Sequence, residues 1–359
     1  MPNTPHFTFH VVSLPHTQTI QDQSWCAFTQ KVRKFCNMMK SLGHTVYLYA
    51  SEQNEAACDE LITCITIEEQ KSWNLPDDME NFSFSHDAPY FKLFNARAAT
   101  AIQEHGKAGD IIAIIGGNSQ RIVCELNPTL IANEFGIGYC GVFAPNKVFE
   151  SYAWMHTTYG AYKSSNSNGE WSDAVIPNYF EPDRFDFTPT PNQPPYLLYL
   201  GRLIERKGFN ICTALAEHLR MPLKVAGGQK EDSIKLDRPF IEFQGIVGPE
   251  ERSKLMGGAT AVLVPTVYIE PFGAVAVEAQ MCGTPAITTD WGAFTETVDP
   301  KFRCRSFDEF VAAIELAKTF TTEQRAQLRA NTIDKYSCDT LRWDYQRYYE
   351  RITKGHNAS

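Results

Sequence analysis

A chain of 359 residues, 43% hydrophobic and 21% charged, has the composition of a globular protein and the length for two domains. No stretch approaches ~18 consecutive apolar residues, which excludes a membrane-spanning helix. A formal net charge of −9 argues against a large polyanion as the main partner.

The chain begins MPNTPHFTFHVVSLPH, without the basic and then apolar runs of a signal peptide, so a cytoplasmic protein is expected. Its ten cysteines form no CxxC pair and fit reduced, buried thiols. The sequons at Asn81 and Asn357 then carry no meaning. FTFHVVSL (Phe7 to Leu14) reads as a buried strand. Trp25, Phe28, Val32, Phe35, Met39 and Leu42 follow at steps of three and four, the stripe of one helix, which Gly43 ends. HTVYLYA is the next strand, and strand–helix–strand with a glycine stop implies a parallel sheet. The segment from Ser51 to Pro89 reads as mixed and partly irregular. A helix at Phe91 to His105, a strand at Asp110 to Ile115, a helix broken near Pro128 and a strand at Tyr139 to Phe143 come next.

Five prolines in FEPDRFDFTPTPNQPP, Phe180 to Pro195, mark a stiff, extended linker over 181–195. Beyond it the alternation restarts: strand YLLYLG, helix Phe209 to Arg220, strands PLKVAGG and PFIEFQG, helix Glu250 to Met256, strand TAVLVP, helix Ala274 to Cys282 and a strand at Pro285 to Thr288. An apolar helix, Leu341 to Lys354, closes the chain. The fold class is therefore α/β, with two Rossmann-like doubly wound domains facing across a cleft. Residues 1–180 form the first, residues 196–337 the second, and residues 338–359 return to the first. A ligand belongs at the carboxyl ends of the strands.

GIGYCG, Gly136 to Gly141, matches GxGxxG, but a helix is read before it and a strand after it. That context is the reverse of a dinucleotide fingerprint, so the motif reads as a turn. No GxxxxGK[ST], HExxH or GxSxG occurs. No two aspartates are separated by a single residue, so the usual sequence sign of a metal-dependent sugar transferase is missing; no metal and no cofactor is expected.

Three elements of the second half remain. GRLIERKG follows a strand, with Gly201 and Arg202 at its start and Lys207 before a helix opened by Gly208. Two cations beside free N–H groups suit a diphosphate, although a solvated basic turn has the same composition. In EPFGAVAVE, Glu270 precedes Phe272, Gly273 and Ala274, and Glu278 lies eight residues on, about 12 Å along a helix at ~1.5 Å per residue. Two carboxylates at that spacing suit the hydroxyl groups at the two ends of a nucleotide sugar. The residues around Glu278 are apolar, so its carboxylate needs a partner. GAFTE, Gly292 to Glu296, is a third turn at the same sheet edge, readable as a ligand loop or as a helix cap.

In order and spacing these motifs resemble the retaining glycosyltransferases of the GT-B fold, family 4. GRLIERKG is similar to the family's Gly-Arg-x4-Lys-Gly, EPFGAVAVE to its Glu-x7-Glu, and AQMCGTP to its Ala-x3-Gly-x-Pro. IPNYF, FQGIVG and ATAVLVPT also look like family elements, and the match runs from Ile176 to about Val298. The resemblance implies a hexosyltransferase-like enzyme with a nucleoside diphosphate sugar as co-substrate. Arg202, Lys207 and Glu270 would be catalytic, and Gly201, Val247, Phe272, Gly273, Ala274 and Glu278 would bind the donor. The first domain departs from the family: SLPHTQTI replaces a glycine-rich loop, and Phe143-Ala144-Pro145 stands where many members carry a histidine. His16 and His156 are the acceptor-side substitutes. The acceptor stays open between a small molecule, a glycan and modified DNA. VFESYAWMHTTYGAY and CAFTQKVRKF resemble transferases carried by tailed phages, some of which act on modified bases. A non-catalytic nucleotide-sugar-binding protein is the alternative from another class.

Overall fold

Short, mostly apolar runs of the sequence become the strands of two parallel sheets. The computed structural model of the chain describes residues 5–75, 85, 87–161, 169–228 and 230–356, so Asn81 and Asn357 lie outside the described residues. Two units form: Met1–Tyr179 with Cys338–Ser359, and Phe180–Ser337. No helix among the described residues is long and apolar enough to cross a membrane.

Unit 1 runs β1 (Thr8–Val12), α1 (Ala27–Ser41), β2 (Thr45–Ser51), β3 (Glu60–Ile65), α2 (Ile67–Ser72), α3 (Pro89–His105), β4 (Ile111–Ile114), α4 (Arg121–Glu125), β5 (Ile131–Ile137), β6 (Asn146–Phe149), α5 (Tyr152–Ala161) and β7 (Ala174–Val175). The strand order is β3-β2-β1-β4-β5-β6-β7, with the chain reversing its direction of winding between β1 and β4. The stripe of α1 is buried at Val32, Phe35 and Met39. The C-terminal helix, Cys338–His356, lies on the same core: Tyr349 meets Phe9 at 4.7 Å and Tyr345 meets Phe35 at 5.3 Å between ring centroids.

The mixed segment after Ser51 holds an edge strand, β3, and a short helix, α2, started by a Thr66–Glu69 capping box. The sequence reading around GIGYCG is corrected. IANEFGI is a strand, β5, so a strand and not a helix precedes GIGYCG, and residues 139–143 are loop, not strand. The polar pair inside β5 hides it: Asn133 and Glu134 are fully buried but satisfied. Asn133 bonds the phenols of Tyr348 and Tyr349. Glu134 accepts the N–H groups of Phe143 and Ala144 at 2.6 and 2.7 Å and the Tyr139 hydroxyl at 3.0 Å. A dinucleotide fingerprint also needs a helix directly after the glycines, and the next helix, α5, starts only at Tyr152.

Unit 2 runs β8 (Leu197–Leu200), α6 (Phe209–Leu219), β9 (Leu223–Ala226), β10 (Ile241–Gly245), α7 (Pro249–Gly258), β11 (Ala261–Val264), α8 (Ala274–Met281), β12 (Ala286–Thr289), α9 (Phe294–Thr297), β13 (Arg303–Cys304), α10 (Phe307–Lys318) and α11 (Thr322–Tyr336). Its order is β10-β9-β8-β11-β12-β13, reversing between β8 and β11. The proline-rich segment belongs to this unit. Phe185 is in the core, and the fully buried Arg325 donates to the carbonyls of Thr188, Gly257 and Ala259 and to the Thr284 hydroxyl. Arg329 adds bonds to the Phe185 and Pro182 carbonyls. With no carboxylate among those acceptors, burial lowers the Arg325 guanidinium to about 10.

Candidate functional site

The winding reverses between β8 and β11, and doubly wound sheets take their ligands at the carboxyl ends of the strands at such a reversal. Two loops lie at that edge. The loop after β8 carries Gly201 to Gly208; the loop after β11 carries Pro265 to Gly273. They are joined at backbone and side chain alike. Val267 N–H donates to the Arg206 carbonyl at 2.9 Å, and Lys207 Nζ donates to Glu270 Oε2 at 2.7 Å.

The joint depends on glycine. Gly208 has φ +77°, and a Cβ there would stand 2.1 Å from the Pro265 carbonyl oxygen. Gly273, φ +78°, caps α8, and its missing Cβ would meet the Phe294 ring at 2.4 Å. The helix therefore starts tight against α9, with the free N–H groups of its first turn at the loop's end. GAFTE acts here as a buttress: Ala293 N–H donates to the Glu270 carbonyl at 3.1 Å.

Lys207 and Glu270 are an ion pair with side chains 20% and 13% exposed, accessible but screened little. Tyr268 completes a cluster that the motif reading missed. Lys207 Nζ sits 4.9 Å and the Arg206 guanidinium 5.0 Å from its ring centroid. The charges of Lys207 and Glu270 both act on its phenol. Burial first, then the Glu270 charge, holds that phenol above its ordinary range, while Lys207 works in the opposite direction. The Tyr268 carbonyl accepts Trp291 Nε1 at 3.2 Å. A tyrosine two residues before a glutamate gives no spacing signal of its own, which is why it was not found.

Glu278 is buried on α8, with Arg252 Nη2 3.7 Å from Oε1. Its Oε2 is buried and has no hydrogen-bond partner among the described residues, an acceptor left over for something else. Glu270 lies ahead of α8 and outside it, so the helical rise does not set its distance from Glu278. Phe272 is core: its ring is 6.1 Å from Phe180 and 5.8 Å from Tyr336, leaving only backbone for a ligand. Val247 packs on the same core beyond β10, and Ala274 opens α8. Among the described residues no carboxylate pairs with Arg202, whose carbonyl holds the Tyr199 hydroxyl at 2.5 Å.

The unit 1 candidates differ from each other. His16 is buried, 3.4 Å from Cys26 Sγ, and burial lowers its imidazole to about 4. His156 is exposed on α5 beside the Tyr152 ring. The loop standing in for the family's histidine has its Phe143 and Ala144 amides committed to Glu134. The cations of CAFTQKVRKF are engaged inside unit 1: Lys31 with Glu150, Arg33 with Gln30, and Lys34 with the Tyr179 carbonyl at 2.6 Å.

Residues 181–335 match the family of glycosyl transferases group 1. The chain carries a group 1 glycosyltransferase domain. This glycosyltransferase domain contains the whole loop pair, Tyr268 and Glu278. Over 117 residues it is 33% identical to the glycogen synthase of Mycobacterium tuberculosis, a match covering 29% of this chain and 28% of that protein. The chain thus spans under a third of the length of the curated relatives it matches. A glycosyltransferase of avilamycin A biosynthesis has a similar structure, with TM-score 0.67 and 19% identity, covering 98% of this chain and 99% of that one. The Anabaena protein HepE, solved with UDP-glucose, gives TM-score 0.61 at 14% identity over 97% of this chain and all of the other. These likenesses place the two α/β units in the GT-B fold class.

Proposed function

We propose that the chain is a retaining glycosyltransferase that moves a sugar from a nucleoside diphosphate sugar to a hydroxyl-bearing acceptor. The observation that carries this reading is the Lys207–Glu270 pair beside the glycine-capped start of α8, at the winding reversal of a group 1 domain. When the glycosidic bond to the diphosphate breaks, negative charge grows on the leaving oxygen and positive charge on the ring. Lys207 and Arg202, with the first N–H groups of α8, stabilise the leaving diphosphate. Glu270 holds the sugar hydroxyls, and the uncommitted Oε2 of Glu278 accepts from the ribose diol. The departing phosphate oxygen takes the acceptor's proton, so no separate base is required, and the cations do the work a metal ion would otherwise do.

The family match and the likeness to a protein solved with UDP-glucose support UDP-sugars as the first donors to test. A thermal-shift panel of UDP-, GDP-, ADP- and dTDP-sugars selects the base, since a ligand that prefers the folded chain raises its melting point. With the selected donor, Lys207→Ala lowers turnover, read as slow hydrolysis without acceptor, by about 10²–10³-fold. Full turnover in that variant removes the diphosphate assignment. Release of intact donor by the wild-type chain would make it a binder and not an enzyme.

A further inference from the structure

Unit 1 holds a recess of about 200 Å³ that the donor machinery does not use. It opens where the loop after β1, the end of β2 and α2 meet, at the carboxyl edge of the sheet. Four amide side chains line it: Gln18, Gln23, Gln53 and Gln70. Two of them form its frame. Gln18, itself buried, donates to Gln70 and accepts the Gln53 N–H at 2.7 Å; Gln70 donates to the Pro15 carbonyl at 2.7 Å and to Ser51 Oγ at 3.1 Å. The side chains of Gln23 and Gln53 have no hydrogen-bond partner among the described residues. The frame fixes the recess, and two amides are left to meet a guest.

The chemistry of the lining narrows the guest. An amide end offers donors and an acceptor together, which matches a hydroxyl that must do both. Ile20 and Leu75 supply apolar surface for the C–H face of a ring. Charge is nearly absent among the described lining residues. His16 stays neutral because it is buried, and no carboxylate is among the described lining residues. Among the described lining residues Lys71 alone brings a charge, whereas a phosphate site gathers several cations or amide N–H groups. Among the described residues the lining includes no aromatic plane wide enough to stack a base.

We propose that this recess binds a neutral polyhydroxylated ring, a sugar or a cyclitol, through Gln23 and Gln53. The binding stands by itself; only its role, as the hydroxyl-bearing end of the acceptor, rests on the transferase reading. Saturation-transfer NMR of the full chain with methyl α-D-glucopyranoside and with myo-inositol tests it. Signal to the ring protons of at least one is expected in the wild type and in Glu270→Gln, whose substitution lies in unit 2. At least a tenfold loss is expected in the Gln23→Leu/Gln53→Leu double variant. Should circular dichroism show that the double variant melts early, Gln53→Ala replaces it, because Gln53 is exposed, and a several-fold loss is then expected. No transfer to either ring, or transfer indifferent to these substitutions, overturns the proposal. So does a recess that takes inorganic phosphate instead and loses it with Lys71→Ala. A UDP-induced rise in the melting point of the wild type reports on the transferase reading independently.

Discussion

Tyr268 sits beside the two groups that the proposed chemistry sets to different tasks. Lys207 must face a phosphate and Glu270 a sugar, yet without a ligand they hold each other at 2.7 Å. A bare ion pair at a partly exposed rim contributes little and lets both side chains wander. The aromatic face under Lys207 and the phenol beside Glu270 restrict them, so a donor arrives at prepared groups. Tyr268→Phe keeps the face and removes the phenol. It is expected to lower kcat about 10-fold with little change in KM, whereas Tyr268→Ala also raises KM as Lys207 loses its support. Steady-state kinetics with the selected donor separate the two, and a Phe variant as fast as the wild type would leave Tyr268 a packing residue. None of this is written in the motif, because the residue acts through partners that the fold supplies from a loop more than sixty positions away.

The glycines of the second half behave differently, and at the scale of elements they were the most informative letters in the sequence. Gly208 and Gly273 each open a helix, and both starts lie where the sequence placed them. What the sequence could not show is the reason: each is a point of close approach, to the Pro265 carbonyl of a loop in one case and to the Phe294 ring of α9 in the other. A side chain at Gly208 meets two penalties at once, a left-handed backbone and a collision with a carbonyl that has no free rotor to turn aside. Gly208→Ala is therefore expected to lower unfolding stability by about 2 kcal/mol or more and to weaken donor binding, because the displaced loop is the one carrying Lys207. Urea denaturation gives the first number and the donor thermal shift the second. Strand β5 is the converse case: Asn133 and Glu134 break its apolar pattern, and their partners, Tyr348 and the Val142–Ala144 loop, are remote or irregular. Period-based reading fails wherever a buried polar residue finds its bond far along the chain.

Across the whole chain, the two-sheet α/β plan was legible because its strands are short apolar runs spaced by helices, while the histidines inside unit 1 were not, since burial leaves no mark in a sequence. His10, His16 and His44 all have imidazoles lowered below their ordinary value, chiefly by burial, with Asp110 opposing the shift at His10. His44 links β2 to the C-terminal helix through Gln346 Oε1 at 2.7 Å, and its other nitrogen faces the Phe7 N–H at 3.3 Å. Both ring nitrogens are thus committed in the neutral form, and an added proton on Nδ1 would oppose an N–H. A folded state that resists protonation binds fewer protons than the unfolded chain once the pH drops below the unfolded value of about 6.5. The stability these residues contribute is complete above that pH and is lost as the pH falls; for His16 the loss runs down to about 4. His16 alone sets an upper bound of about 3 kcal/mol on its share. Urea melts at pH 7.5 and pH 5 are expected to show unit 1 weakening on acidification, and His16→Asn to reduce that difference. A wild-type chain equally stable at both values would mean that these imidazoles are hydrated, and that the core between β1, β2 and the C-terminal helix is looser than its packing implies.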